Sequence, residues 1–171
     1  MSLQAFVEET LEQLHHTRAL FGSAPQSASF ASTPGLETAH AAVATQRGAV
    51  AENWHGLSGG AHGDLAATRI ATLGRAIPAD NTISALTNSA AEAAGQGRRL
   101  MDGIIADTHR GIAAIAPSTD TPAGKAQLVQ HLQAQLSRAH ALVNRVSQQS
   151  AKLGTQIAAA AVGYKPEDPR R

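Results

Sequence analysis

The sequence predicts an all-α protein, an elongated antiparallel helical bundle with a long C-terminal helical hairpin. Three observations carry that expectation. Alanine, the best helix former, is the commonest residue, with 36 copies in 171 positions. Only five residues are aromatic (one Trp, one Tyr, three Phe), and β-branched residues rarely cluster, which argues against a sheet. Apolar residues recur at alternating three- and four-residue steps through most of the chain.

The first expected helix covers about 2–21. Leu3, Val7, Leu11 and Leu14 form a stripe with Phe6 beside it, and Glu8, Glu9, Glu12 and His16 lie largely off it. Gly, Ser and Pro then gather in residues 22–35, a composition that predicts a flexible linker. The first helix is thereby free to pack elsewhere than on its neighbour in sequence.

A second helix is expected from about 35 to 56, with Leu36, Ala39, Val43, Gln46, Val50 and Asn53 or Trp54 along its seam. Gly56, Gly59 and Gly60 stop it. A third covers about 63–76, with Ala66, Ile70 and Leu73 on one side. Pro78 interrupts it, either kinking or reversing the chain, and the ADN run at 79–81 offers a new N-cap.

The fourth expected helix covers about 81–116, with Ile83, Leu86, Ala90, Ala93, Gly97, Leu100 and Ile104 on its seam. A turn follows at 117–124, with Thr121 as N-cap and Pro122 at the first helical position. The fifth helix, about 122–162, has the most regular pattern: Val129, Leu132, Leu136, Ala139, Val143, Val146, Ser150, Leu153, Ile157 and Ala160. At 1.5 Å per residue it would be roughly 60 Å long. If positions 116 and 121 close the hairpin, residue x faces about residue 237 − x, and Tyr164 falls level with about residue 73. The domain expectation is therefore an amphipathic helix at 1–21, a linker at 22–35, a helical bundle at 36–163 and a disordered tail at 164–171.

Composition also excludes function classes. A net charge of +1, with Arg98/Arg99 and Arg170/Arg171 as the evident basic pairs, gives no footprint for nucleic acid. The absence of cysteine excludes thiolate ligands and nucleophiles. Glu8, Glu9 and Glu12 fall where a cleaved signal peptide needs an apolar run, so no ordinary signal is expected. No stretch reaches ~18 apolar residues, so no membrane span is expected.

Two Glu-x-x-His pairs, Glu12/His15 and Glu37/His40, each share a helical face, as in di-iron bundles. The fifth helix, however, holds no Asp or Glu to complete such a site, and solvated faces are the preferred reading. The remaining histidines, including His16, His109, His131 and His140, mostly fall off the apolar seams and are read as surface imidazoles. The glycine cluster at 56–63 lacks the preceding strand and the lysine of a phosphate-binding loop. No catalytic constellation, metal site or cofactor is expected.

The lone tryptophan stands in Trp54-His55-Gly56, at an expected turn between helices. By itself it suits a core residue that needs a partner for its indole N–H. The lone tyrosine, Tyr164, follows the last helix, and Asp168 comes four residues later. A Trp-x-Gly turn between helices with a Tyr-x-x-x-Asp segment after the last one resembles the substrates of mycobacterial type VII (ESX) secretion. That group includes the Trp-x-Gly family, the PE and PPE proteins and larger associated proteins. The C-terminal half, from Thr121 to Tyr164, is similar to a helical domain of uncharacterised function in actinobacterial ESX-associated proteins. Two features depart from the family. Pro166 stands inside the Tyr-to-Asp segment, and extra helices flank the short family hairpin.

The resemblance implies a non-enzymatic protein, cytoplasmic before export and secreted or envelope-associated after it. Trp54, Gly56, Tyr164 and Asp168 would form the secretion signal, read by the ESX secretion ATPase. A helical partner protein or homo-oligomerisation would complete it, because Trp54 is expected 20–30 Å along the third helix from Tyr164, at about 1.5 Å per residue. The alternative is a cytoplasmic helical scaffold or regulatory bundle without export, with Trp54 merely core.

Overall fold

The computed structural model describes residues 2–22, 32–53 and 56–164. Among them are four α-helices and no strand: α1 (Leu3–Ala19), α2 (Ser32–Asn53), α3 (Leu57–Ile115) and α4 (Pro122–Ala160). Short 3₁₀ turns at Ala116–Ser118 and Ala161–Tyr164 follow α3 and α4. The protein is all-α, and α3 and α4 form the expected long antiparallel hairpin.

The chain divides into two units. One combines α1 with residues 89–115 of α3 and 122–152 of α4; the other combines α2 with residues 57–88 of α3 and the end of α4 from 153. The first helix thus packs with segments distant in sequence.

Local chemistry sets the helix ends. The Ser2 hydroxyl accepts the Ala5 N–H at 3.1 Å and caps α1. His16 and Arg18 lie in its last turn, where positive charge suits the dipole, and Gly22 at φ +68° carries the chain away. Thr121 caps α4 as expected, accepting the Gly124 N–H at 3.0 Å with Pro122 next in line.

The hairpin closes between Ser118 and Gly124, not between 116 and 121. A Cβ on Gly124 would lie 2.0 Å from the Ser118 carbonyl oxygen, so only glycine lets α4 begin this close to the 3₁₀ turn. The register therefore shifts by about five residues. Gly111 faces His131 and Gly97 faces Val146 in the first unit, and Gly163 faces Ala79 in the second.

In the first unit, Leu14 and Phe21 join Met101, Ile104, Ile105, Ala139 and Leu142, with Leu136, Val143 and Val146 packed alongside. Each fully buried leucine contributes about 1.5–3 kcal/mol by leaving water. The buried face of α1 is Thr10, Leu14 and Thr17, so Leu3, Val7 and Leu11 of the expected stripe are only half-buried. Threonine fits there because Thr10 and Thr17 donate to the Phe6 and Gln13 carbonyls, both at 2.7 Å, which leaves the methyl groups to pack. Leu100 is 46% exposed, whereas its neighbour Met101 is 0% exposed. The gap between Gly97 and the core is closed by the four-residue step to Met101, because α1 as well as α4 packs on this stretch.

Among the described residues of the second unit the buried apolar side chains are Ala66, Ala76 and Ala79. The expected seam of α2 survives as Leu36, Val43 and Val50, all half-buried, while Ala39, Gln46 and Asn53 are exposed. Pro78 neither ends α3 nor reverses it; the helix continues through it. Asp80 does not act as a cap either. It is buried inside α3 and its carboxylate accepts the Thr33 hydroxyl at 3.3 Å. That contact with α2 lies after the proline, and Gly163 spans it, seated on Ala79 after it and on the Arg75 carbonyl before it. Gly59 and Gly60 likewise lie within the first turn of α3 rather than in a stop. Among the described residues, no helix is long and apolar enough to cross a membrane.

Candidate functional site

Gly56 stands at the joint of α2 and α3 with φ +102°, a conformation that side chains disfavour. Its carbonyl accepts the Gly60 N–H at 3.0 Å, starting α3. From this joint α2 and α3 run antiparallel. His40 approaches Gly74, with Nε2 3.8 Å from where a Cβ would stand, and Thr33 reaches Asp80. Both pairs centre on the Gly56 joint, so the hairpin is tight. Trp54 lies outside the described residues.

At the other end, Tyr164 closes the 3₁₀ turn after α4 and is 43% exposed. Its neighbour Gly163 sits directly on α3: a Cβ there would be 3.0 Å from the Ala79 Cβ and 3.2 Å from the Arg75 carbonyl. Small residues on both sides permit this approach. Tyr164 is consequently level with Pro78, not with residue 73. Gly56 is then roughly 33 Å away along α3, at 1.5 Å per residue. The two described members of the expected signal, Gly56 and Tyr164, are not brought together. Asp168 lies outside the described residues.

The Glu-x-x-His pairs are also separate. Glu12 and His15 are exposed on α1 in one unit; Glu37 is exposed and His40 half-buried on α2 in the other. Among the described residues, no three His, Cys, Asp or Glu side chains converge as a metal site.

Some residues with specific surroundings are not legible from the sequence pattern. His131 is not a surface imidazole: its ring lies against the backbone of Gly111, and Nε2 is buried without a hydrogen-bond partner among the described residues. The absent side chain at Gly111 is the one available signal. Asp102 pairs with Arg18, fastening α1 to α3. This hydrogen bond holds the Asp102 carboxyl below its ordinary range, with the charges of Arg18 and Arg98 adding to the effect. Asp107 receives Arg110 from its own helix and Arg138 from α4, the latter at 3.1 Å.

A family model described as "Domain of unknown function (DUF4226)" matches residues 60–168. The chain belongs to the DUF4226 family. No curated protein and no solved structure matches it. The DUF4226 span takes in nearly all of α3, the 3₁₀ turns and α4. It contains Tyr164 and Asp168 but begins after Trp54 and Gly56, so the two halves of the expected signal fall on different sides of the family boundary.

Proposed function

We propose that this DUF4226 chain is a non-enzymatic helical protein exported by, or partnering in, a type VII (ESX) secretion system, and that it acts through protein–protein contacts. The reading rests on one juxtaposition of motif and fold. The Trp54-His55-Gly56 sequence falls at the helix–helix joint where Gly56 takes φ +102°, and Tyr164 is exposed directly after the last helix. In this reading Trp54 and Gly56 supply one half of the signal, while Tyr164 and Asp168 are carried to the secretion ATPase. The distance between Gly56 and Tyr164 along α3 favours a composite signal that takes its second half from another chain, whether a helical partner or a second copy.

In the second unit the most buried apolar side chains are alanines and the larger ones are only half-buried, which supports action by association, since each small side chain buries little area at ~25 cal/mol per Å². That same feature suits the scaffold reading, in which the protein stays in the cytoplasm. Export decides between the two. Expressed in an ESX-competent mycobacterium, the protein should accumulate in the culture filtrate; in a strain whose secretion ATPase is inactive, it should remain in the lysate. Retention in both strains leaves the scaffold reading in its place.

A further inference from the structure

The α3–α4 pair of the first unit is covered on one side and open on another. α1 and the residues after it cover one side, reaching α3 at Gly97, Arg98 and Asp102 through Phe21, the Gly22 carbonyl and Arg18. Leu100, Ile104, Arg138, Ala141, Leu142 and Arg145 line a short groove that is open to solvent. Leu100 stands about 100° around α3 from Met101, which turns it away from α1. It is the exposed leucine that the seam pattern assigned to the core.

We infer that this groove docks an amphipathic helix of a partner protein, one that carries carboxylates beside an apolar stripe. Shape comes first. Exposed Leu100 and Ala141 flank the buried core residues Ile104 and Leu142 between two antiparallel helices, the setting in which side-chain ridges of a further helix pack. α1 demonstrates the fit on the other side of the same pair. Charge then selects the partner. Arg138 and Arg145 stand two turns apart on one edge of the floor. Arg138 is engaged by Asp107 and by Gln135, whose Oε1 accepts from it at 2.9 Å. Arg145 has no ion pair among the described residues and is exposed. Carboxylates flanking a leucine stripe complement both the floor and the rim.

The test uses the full chain and a fluorescent synthetic helix of about 20 residues, since shorter ones are marginal in water. One peptide has leucines at three-four spacing flanked by glutamates; a second replaces every glutamate with lysine. Anisotropy titrations should show saturable binding of the glutamate peptide alone. Leu100→Ser and Arg145→Glu should each weaken it about tenfold, the scale expected for losing one apolar anchor or reversing one rim charge. Both positions are exposed, and circular dichroism verifies that both variants keep their helix content. Absence of saturable binding, equal binding of the lysine peptide, or unchanged affinity in both variants overturns the inference. Sedimentation of the chain alone identifies the occupant independently: a dimer that Leu100→Ser abolishes makes a second copy the occupant and overturns the partner assignment. None of these readings depends on export.

Discussion

The Nε2 edge of the His131 ring approaches Gly111 so closely that a Cβ on Gly111 would stand 2.0 Å from Nε2. Gly111 is therefore a packing position, although glycine is otherwise unfavourable inside a helix. Gly111→Ala should destabilise the protein by about 1–3 kcal/mol through overpacking, despite its better helix propensity. Gly103→Ala, where nothing lies within 4 Å, should stabilise it by roughly 0.5–1 kcal/mol. Urea melts of the two variants settle the contrast. A Gly111→Ala variant as stable as wild type would show that the ring can swing aside without loss.

Leu14 and Leu65 make a second contrast. Leu14 is fully buried beneath α3 and α4, whereas Leu65 is 51% exposed in the second unit. Leu14→Ala should cost about 2–5 kcal/mol, the range for a core leucine. Leu65→Ala should fall within about ±0.5 kcal/mol, as surface substitutions do. Thermal unfolding would expose the error if the two shifts were alike.

The Arg18–Asp102 pair gives stability a pH dependence with a definite sign. The folded state holds the Asp102 pKa below its unfolded value of about 3.9. Its contribution is therefore fully present above that unfolded value and lost as pH falls through the folded one. Asp102→Asn should be less stable than wild type at neutral pH and converge with it in strong acid. Because both side chains are substantially exposed, the difference should also shrink in high salt. Melting midpoints across pH and salt provide the check; a gap that widens in acid would reverse the assigned sign.

Thr121 anchors the start of α4 through its hydroxyl. Thr121→Ala should cost about 1 kcal/mol, the usual value of an N-cap, and Thr121→Ser much less. Denaturant titration of the pair distinguishes a lost cap from a lost methyl group, because Ser restores only the former.

Fold class and the hairpin were legible because helix propensity and apolar spacing are local properties. Thr121 and Pro122 were legible for the same reason. What escaped depended on neighbours. Pro78 breaks a helix only where its cost is uncompensated, and here Gly163 packs against Arg75 before it and Ala79 after it, with Asp80–Thr33 tying the following turn to α2. Leu100 lost its seam position to Met101 because a second helix packs on that stretch. The hairpin register turned on a single glycine, Gly124, whose close approach to Ser118 no periodicity records. Threonines 10 and 17 looked polar in sequence but satisfy their hydroxyls within α1. Of the expected signal, the need for glycine at position 56 was readable from the turn itself, whereas the placement of Tyr164 opposite Pro78 required the corrected register.

Export through a signal that includes Tyr164 is tested by comparing culture filtrate with lysate in an ESX-competent mycobacterium. Three chains are needed: wild type, Tyr164→Ala, and Val162→Ala as a control exposed on the same turn. Wild type and Val162→Ala should appear in the filtrate, with Tyr164→Ala confined to the cells at equal expression. Wild type retained in the cells, or Tyr164→Ala exported as well as wild type, would overturn the proposed export signal.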